Sequence, residues 1–441
     1  MVSLGCDKNL VDSEAMLGLI RRDGYLIVNE PEEADVIVIN TCGFISDAVR
    51  EGISTALELA NYKTSGSCRA LIVTGCMVTR YKNEILAELP EVDAVLGTNE
   101  LSGIADVING IFNKSTPDLC KTENTEEFYI NRVLSTHTGY AYLKVAEGCD
   151  NHCTYCTIPQ IKGSYKSRPL DSILSEARNL ANQGVRELII VAQDTTLYGN
   201  DIYGKPSLDL LLRNLSEIPD IAWLRVMYAY PENITNALID EIAGNNKICR
   251  YLDIPIQHAS DSVLKRMGRK SSEAELRGLI SRLRDAIPGI VLRTTFITGF
   301  PGETEGDYET LMKFTEEICF DHLGVFAFSN EEGSPAYKMR DQVPEKIKKL
   351  RRGNLLKKQA YISLNNSKRF ISQTLTVLTE GRVPDEKSPD GFVYCGRSYR
   401  DCPENDGMIF FHSDDEIISG EFVNVQITEV SEHDLFGRRI L

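Results

Sequence analysis

The chain has no apolar run near the length of a membrane span. Its first residues lack the charged start and apolar core of a signal peptide. Both absences predict a cytoplasmic protein with no membrane segment. Cysteine, at 12 in 441 residues, is too sparse for a disulfide scaffold. In a reducing compartment, clustered cysteines point instead to metal or redox chemistry. An excess of positive charge is missing too, because the net charge is −16. Residues 1–115 carry 9 Lys+Arg against 17 Asp+Glu, residues 371–441 carry 6 against 14, and residues 116–370 carry 33 of each. Acidic flanks repel phosphate backbones, which argues against direct nucleic-acid binding. A basic protein partner fits better, although acidity that only aids solubility is an open alternative.

What is present begins with Cys149, Cys153 and Cys156, a C-x3-C-x2-C loop just after an apolar run that reads as a strand. Three thiolates on one loop can hold three irons of a [4Fe–4S] cluster. Electron-transfer clusters take four cysteines, so a missing fourth ligand leaves one iron for a small molecule. Zinc loops are usually paired C-x2-C units, and three unrelated thiols rarely fall at a strand's end in this spacing.

In residues 1–115, apolar runs (Val2–Leu4, Ala34–Asn40, Ala70–Thr74, Val92–Leu96) alternate with amphipathic stretches (Leu10–Arg22, Ile45–Tyr62, Arg80–Leu89). This alternation predicts a parallel α/β sheet. Cys6, Cys42 and Cys76 each fall just past the end of one of three such strands. Carboxyl ends of parallel strands form the ligand crevice, so the three thiols are expected to converge as a second cluster site. The alternative is that they are buried small hydrophobes. Asn9 is expected to cap the following helix, and a role near the metal for Lys8 or Asn9 is the weaker alternative. A linker is expected at 116–135, with Cys120 as a loop thiol.

Residues 136–368 show six strand–helix repeats, with strands at Tyr140–Ala146, Glu187–Ala192, Trp223–Ala229, Tyr251–Ile256, Val291–Thr298 and Leu323–Phe328. This predicts a partial (βα)6 barrel with its active residues at the strands' carboxyl ends. Candidate ligand contacts there are Tyr155, Gln193, Asp194, Gln257, Gly299 and Gly302. The glycines would admit close backbone approach to a ligand, and simple packing is the alternative for Tyr155. Tyr228 and Tyr230 follow the third strand. His258 reads as either a satisfied polar residue or a site residue, and His152 as a solvated loop residue. Cys249 and Cys319 read as core thiols. The basic run Lys346, Lys348, Lys349, Arg351, Arg352 reads as a solvated helix face. Residues 371–441 hold five short β-patterned runs separated by turns, which predicts a small antiparallel β-barrel. Cys395 and Cys402 stand outside any ligand spacing.

Together these residues resemble a known family over the whole chain. The C-x3-C-x2-C of Cys149, Cys153 and Cys156 resembles the radical S-adenosylmethionine (SAM) superfamily. The added Cys6, Cys42 and Cys76, with a small TRAM-like β-barrel tail, resemble the methylthiotransferases. Ser3-Leu4-Gly5-Cys6, Lys8-Asn9-Leu10-Val11-Asp12-Ser13-Glu14 and the tail's Gly396-Arg397-Ser398-Tyr399-Arg400-Asp401 are similar to the RimO type. Asp7 departs from the proline common at that place, and the first strand begins almost at Met1, which points to a truncated or misassigned start.

The resemblance implies an α/β multidomain enzyme that adds a methylthio group to the β-carbon of an aspartate in small-subunit ribosomal protein uS12. Its cofactors would be two [4Fe–4S] clusters and S-adenosyl-L-methionine. Cys149, Cys153 and Cys156 would hold the radical SAM cluster, where cleavage of SAM yields the radical that removes the β-hydrogen. Cys6, Cys42 and Cys76 would hold the auxiliary cluster that carries the sulfur. An electron donor of flavodoxin or ferredoxin type is implied. The nearest alternative is a tRNA (isopentenyl-adenosine) methylthiotransferase. A non-catalytic two-cluster electron carrier is disfavoured by the missing fourth cysteines.

Overall fold

The computed structural model describes residues 1–113, 128–136, 139–388 and 391–440. In the first domain, the two middle strands, six residues each, are buried on both faces almost throughout, which is why they read as continuous apolar runs. Strands β1 (Val2–Ser3), β2 (Val36–Thr41), β3 (Ala70–Gly75) and β4 (Ala94–Leu96) lie in that order, all parallel. Helix α1 (Asp7–Arg22) covers one face, where Met16 and Leu19 pack with Val38 and Ile72. Helices α2 (Ser46–Ala60) and α3 (Cys76–Glu88) cover the other, against Ile37, Ile39, Leu71 and Val73.

The central sheet joins β5 (Tyr140–Lys144), β8 (Glu187–Val191), β9 (Trp223–Val226), β10 (Ile248–Gln257), β11 (Val291–Thr298) and β12 (His322–Ala327). They run side by side in sequence order, all parallel. Two further short strands, β6 (Ala146–Glu147) and β7 (Lys166–Ser167), pair on each other beside the cysteine loop. Strand residues alternate by type. Leu188, Ile190, Leu224 and Leu252 face the surrounding helices. Tyr140, Tyr142, Ile189 and Tyr251 face inward, with Val11 of the first domain and Cys402 of the tail packed against them.

The tail is a closed barrel of β13 (Thr374–Ser388), β14 (Gly391–Arg397), β15 (Ile409–Ser413), β17 (Leu435–Ile440) and β16 (Phe422–Val430) in that spatial order. One seam departs from the antiparallel expectation, because β15 runs parallel to β17. The barrel docks at the start of the central strands. Glu187 lies between Arg225 (2.7 Å) and Arg397 (2.9 Å), all fully buried. Arg225 also donates to the carbonyls of Tyr399 and Ser398.

Residues 128–136, in the stretch expected to be a linker, are packed. Arg132 is buried between Glu14 and Glu176, and the Ser135 amide donates to Glu14. Residues 116–127, with Cys120, lie outside the described residues. The basic run is a solvated face only in part: Lys346, Lys349 and Arg352 are exposed, and the other two residues are not. On the long helix α5 (Glu345–Ser367), Lys348 and Arg351 are buried. Lys348 donates to the Phe328 carbonyl and Arg351 pairs with Glu303 at 2.7 Å. Cys319 is not a core thiol either: it ends a helix in the left-handed region (φ 53°) and is only half-buried.

Candidate functional site

The first thiol group forms where three parallel strands end. Cys6 is the N-cap of α1, Cys42 directly follows β2, and Cys76 is the first residue of α3. Two helices thus start at this edge, each with its first residues beside a thiol. Close approach is visible in the glycines. A Cβ on Gly5 (φ +103°) would lie 2.8 Å from the Cys42 Cβ, and one on Gly43 would lie 2.7 Å from the Cys76 backbone. Asn9 does not cap the helix. Its Oδ1 accepts from the thiols of both Cys6 (3.9 Å) and Cys76 (3.7 Å). Its Nδ2 donates to the carbonyls of Leu4 and Thr41, each at 3.1 Å. One side chain thus ties the ends of two strands beneath two sulfurs. Burial pushes the Cys76 thiol up to about 12 and raises Cys42.

The second group lies on the loop after β6. The Cys149 amide donates to the Gly163 carbonyl, and the Thr154 amide and hydroxyl donate to the carbonyls of Met267 and Arg266. Backbone amides of Asn151 and Ile158 donate to the sulfurs of Cys149 and Cys156, both at 3.4 Å. Burial raises Cys149 to about 11 and Cys156 to about 12. A metal bound here would have to displace protons from these thiols, and the two amide donors could stabilise the charge that results. Among the described residues, no three His, Cys, Asp or Glu side chains close around a point as ligands of one metal ion. A four-iron cube spreads its thiolates over separate irons, a demand that two groups of three neighbouring thiols can meet.

The other expected contacts divide. Asp194 is fully buried and accepts from Asn151 (2.9 Å), Asn233 (3.0 Å) and Thr196 (2.6 Å). It therefore anchors the cysteine loop through Asn151. Tyr155 is half-buried against Phe300 and Phe328, with burial and then the neighbouring Cys153 sulfur raising its phenol. Gln193 donates to Glu147 at 3.1 Å, while its own Oε1 is buried without a hydrogen-bond partner. Gln257 sits at a β-bulge with φ 75°. At the two glycines, packing alone already leaves little room for a side chain. A Cβ on Gly299 would meet Lys348 at 2.3 Å, and one on Gly302 would meet Arg266 at 3.1 Å. His258 is buried, accepts from the Ser260 amide and faces Glu303 at 3.5 Å, away from both thiol groups' hydrogen bonds.

A short bridge joins the two thiol groups. Asp7, next to Cys6, accepts from the Tyr228 hydroxyl at 3.1 Å. Two residues on, the Tyr230 hydroxyl lies 3.6 Å from the Cys153 sulfur. Lys8 sets its ammonium 2.9 Å from Asp7 and 3.3 Å from the Tyr228 ring centre. Burial disfavours the charge on Lys8, but Asp7 outweighs it, so its pKa lies above the ordinary lysine value. Arg269 stacks on Tyr230 at 3.8 Å. For Lys8 and Asn9 the sequence offers a role near the metal only as the weaker alternative, and for Arg269 it offers none, because each matters through a partner distant in sequence. For Tyr228 and Tyr230 the sequence shows only their place after the third central strand.

Comparison with known proteins agrees with this layout. Family models match residues 1–97 (uncharacterized protein family UPF0004), 143–315 (radical SAM superfamily) and 371–440 (TRAM domain). The radical SAM methyltransferase TsrM from Kitasatospora setae, solved with cobalamin and a [4Fe–4S] cluster bound, superposes with TM-score 0.55 at 13% identity over 76% of each chain. That likeness is one of fold. The chain is a radical SAM enzyme with an added N-terminal α/β domain and a TRAM barrel. The ribosomal protein uS12 methylthiotransferase RimO of Lachnoclostridium phytofermentans is 51% identical over 437 residues, 99% of this chain and 98% of that one. The RimO of Acetivibrio thermocellus is 47% identical over 448 residues, covering 100% and 98%. The chain belongs to the RimO family of radical SAM methylthiotransferases, enzymes of SAM and [4Fe–4S] clusters.

Proposed function

We propose that this enzyme adds a methylthio group to the β-carbon of an aspartate in ribosomal protein uS12, with the chemistry placed between its two thiol groups. The observation that supports the reading is the chain of contacts from Asp7, next to Cys6, through Tyr228 and Tyr230 to Cys153. Cys149, Cys153 and Cys156 would hold the radical SAM cluster and Cys6, Cys42 and Cys76 the auxiliary cluster. Bound there, these groups supply one-electron cleavage of SAM and a transferable sulfur. The protein binds, orients and shields. Asn9 holds two strand ends under the auxiliary thiols, Asp194 and Asn151 fix the other loop, and Tyr155, Gln193 and Gln257 remain the contacts for SAM. The chain's net charge of −16 suits a basic ribosomal protein better than tRNA. Domain division at 1–115, 136–368 and 371–441, a flavodoxin- or ferredoxin-type electron donor and a cytoplasmic setting belong to the same reading.

The test is incubation of the anaerobically reconstituted protein with SAM, reductant and either uS12 or tRNA, followed by mass spectrometry. A methylthio group on a uS12 aspartate is expected, and modification of tRNA alone overturns the reading. Cys153→Ser should abolish SAM cleavage. Cys42→Ser should leave cleavage in place and stop methylthio transfer.

A further inference from the structure

The reacting β-carbon of an aspartate is one bond from the carboxylate carbon. If that carbon lies between the two thiol groups, the carboxylate lies there too and is taken out of water. A buried carboxylate needs a cation or hydrogen-bond donors beside it. The nearby cations are mostly committed. Lys144 and Lys162 pair with Asp12 and Glu147. Arg80 pairs with Glu331 and donates to backbone carbonyls, and Arg269 donates to the Pro255 carbonyl while stacked on Tyr230 beside the radical loop.

Lys8 differs. Its side chain keeps 10% exposure, and it sits two residues from Cys6 with its ammonium against Tyr228, whose hydroxyl donates to Asp7. One N–H is taken by Asp7 Oδ1, and the ring face of Tyr228 takes another direction. An ammonium has three donors, so one is left for a ligand. Asp7 Oδ2 is buried without a hydrogen-bond partner, so Asp7 fixes Lys8 while adding a negative charge to the same space.

We propose that Lys8 is the specificity residue that receives the side-chain carboxylate of the target aspartate, with Asp7 and Tyr228 orienting its ammonium. This inference rests on the function proposed above. It explains how a site built for radical chemistry selects an acidic side chain, and it assigns Asp7 a tuning role: its charge lowers the affinity that Lys8 alone would give.

The experiment is binding of uS12 to the reconstituted holoenzyme, measured by calorimetry, with the target residue either aspartate or replaced by asparagine. Wild type should prefer the aspartate form on the order of tenfold, the scale of one charge-assisted hydrogen bond. Lys8→Gln should erase that preference and Lys8→Arg should keep most of it. Asp7→Asn, which retains an acceptor for Tyr228 and Lys8 but not the charge, should widen it. Iron and sulfide content, measured in each variant, checks that both clusters are loaded. A loaded Lys8→Gln enzyme that still discriminates fully overturns the assignment of Lys8. A wild-type enzyme that does not modify uS12 removes the functional reading itself, and the two failures are told apart by the wild-type assay.

Discussion

Asn9 shows how much one amide can do at a site made from separate strands. Its oxygen sits under two sulfurs and its nitrogen holds two carbonyls, so four groups from three segments depend on it. Asn9→Leu removes these bonds and leaves the Thr41 carbonyl buried. We expect a loss of about 2–4 kcal/mol in stability and incomplete loading of the auxiliary site, read as iron per chain after anaerobic reconstitution. Gly43→Ala should act through sterics alone, because its Cβ would press on the Cys76 backbone at 2.7 Å. It should lower iron content while leaving the Cys149–Cys156 loop able to bind SAM. Full iron content in both variants would show that the strand ends tolerate displacement.

At the scale of elements, the telling junction is the one between tail barrel and central sheet. Burial raises the Glu187 carboxyl, but Arg225 and Arg397 outweigh it and hold the pKa below the ordinary carboxylate value. The sign follows from linkage: a lowered pKa contributes stability above the unfolded value and loses it as pH falls through the folded one. Docking should therefore weaken on acidification below the usual glutamate range. The sole tryptophan reports it, since Trp223 lies edge-on to Phe422 of the barrel at 4.7 Å. Glu187→Gln should mimic the effect at neutral pH and cost about 3–5 kcal/mol, because two buried guanidinium groups lose their shared partner. On α5, Lys346→Ala should stay within about 0.5 kcal/mol, as exposed sites do. Arg351→Ala should cost several times that, since Glu303 is left buried. Thermal unfolding of the two variants compares them directly.

Across the whole molecule, function depends on how the first domain is held to the second. Arg80 and Ser46 of the first domain both reach Glu331, which follows β12, and Asp12 lies between Lys144 and Lys162 of the second. Glu331→Ala should loosen this join and reduce methylthio transfer more than SAM cleavage. A double-mutant cycle with Arg80→Ala should give a coupling of about 1–3 kcal/mol. Equal loss of both activities would place the defect elsewhere. The tail's acids enter at this scale as well. Asp414 and Asp415 pair with Arg438 and Arg439, so neutralising Asp414, Asp415 and Glu416 together also frees two arginines. Affinity for a basic partner should fall, and the fall should shrink as salt is raised. Affinity unchanged at every ionic strength would count against electrostatic recruitment.

The six cysteines and the order of strands and helices could be read from the chain alone, for a local reason. Ligand spacing on a loop, and apolar runs that end at a cysteine, are properties of neighbouring residues. What a residue faces is not such a property. Lys348 and Arg351 on α5 looked solvated because their partners, the Phe328 carbonyl and Glu303, come from other segments. Gly299 and Gly302 looked like ligand cradles, but side chains of Lys348 and Arg266 occupy that space. The GRSYRD stretch of the tail marked the family, but its work is to plug the start of the central sheet beside Glu187 and Arg225. Sequence determined which thiols share a loop and which follow the ends of strands. Only the tertiary structure decided that Tyr228 and Tyr230 join the two sets of thiols, because that join requires faces of three distant segments to meet.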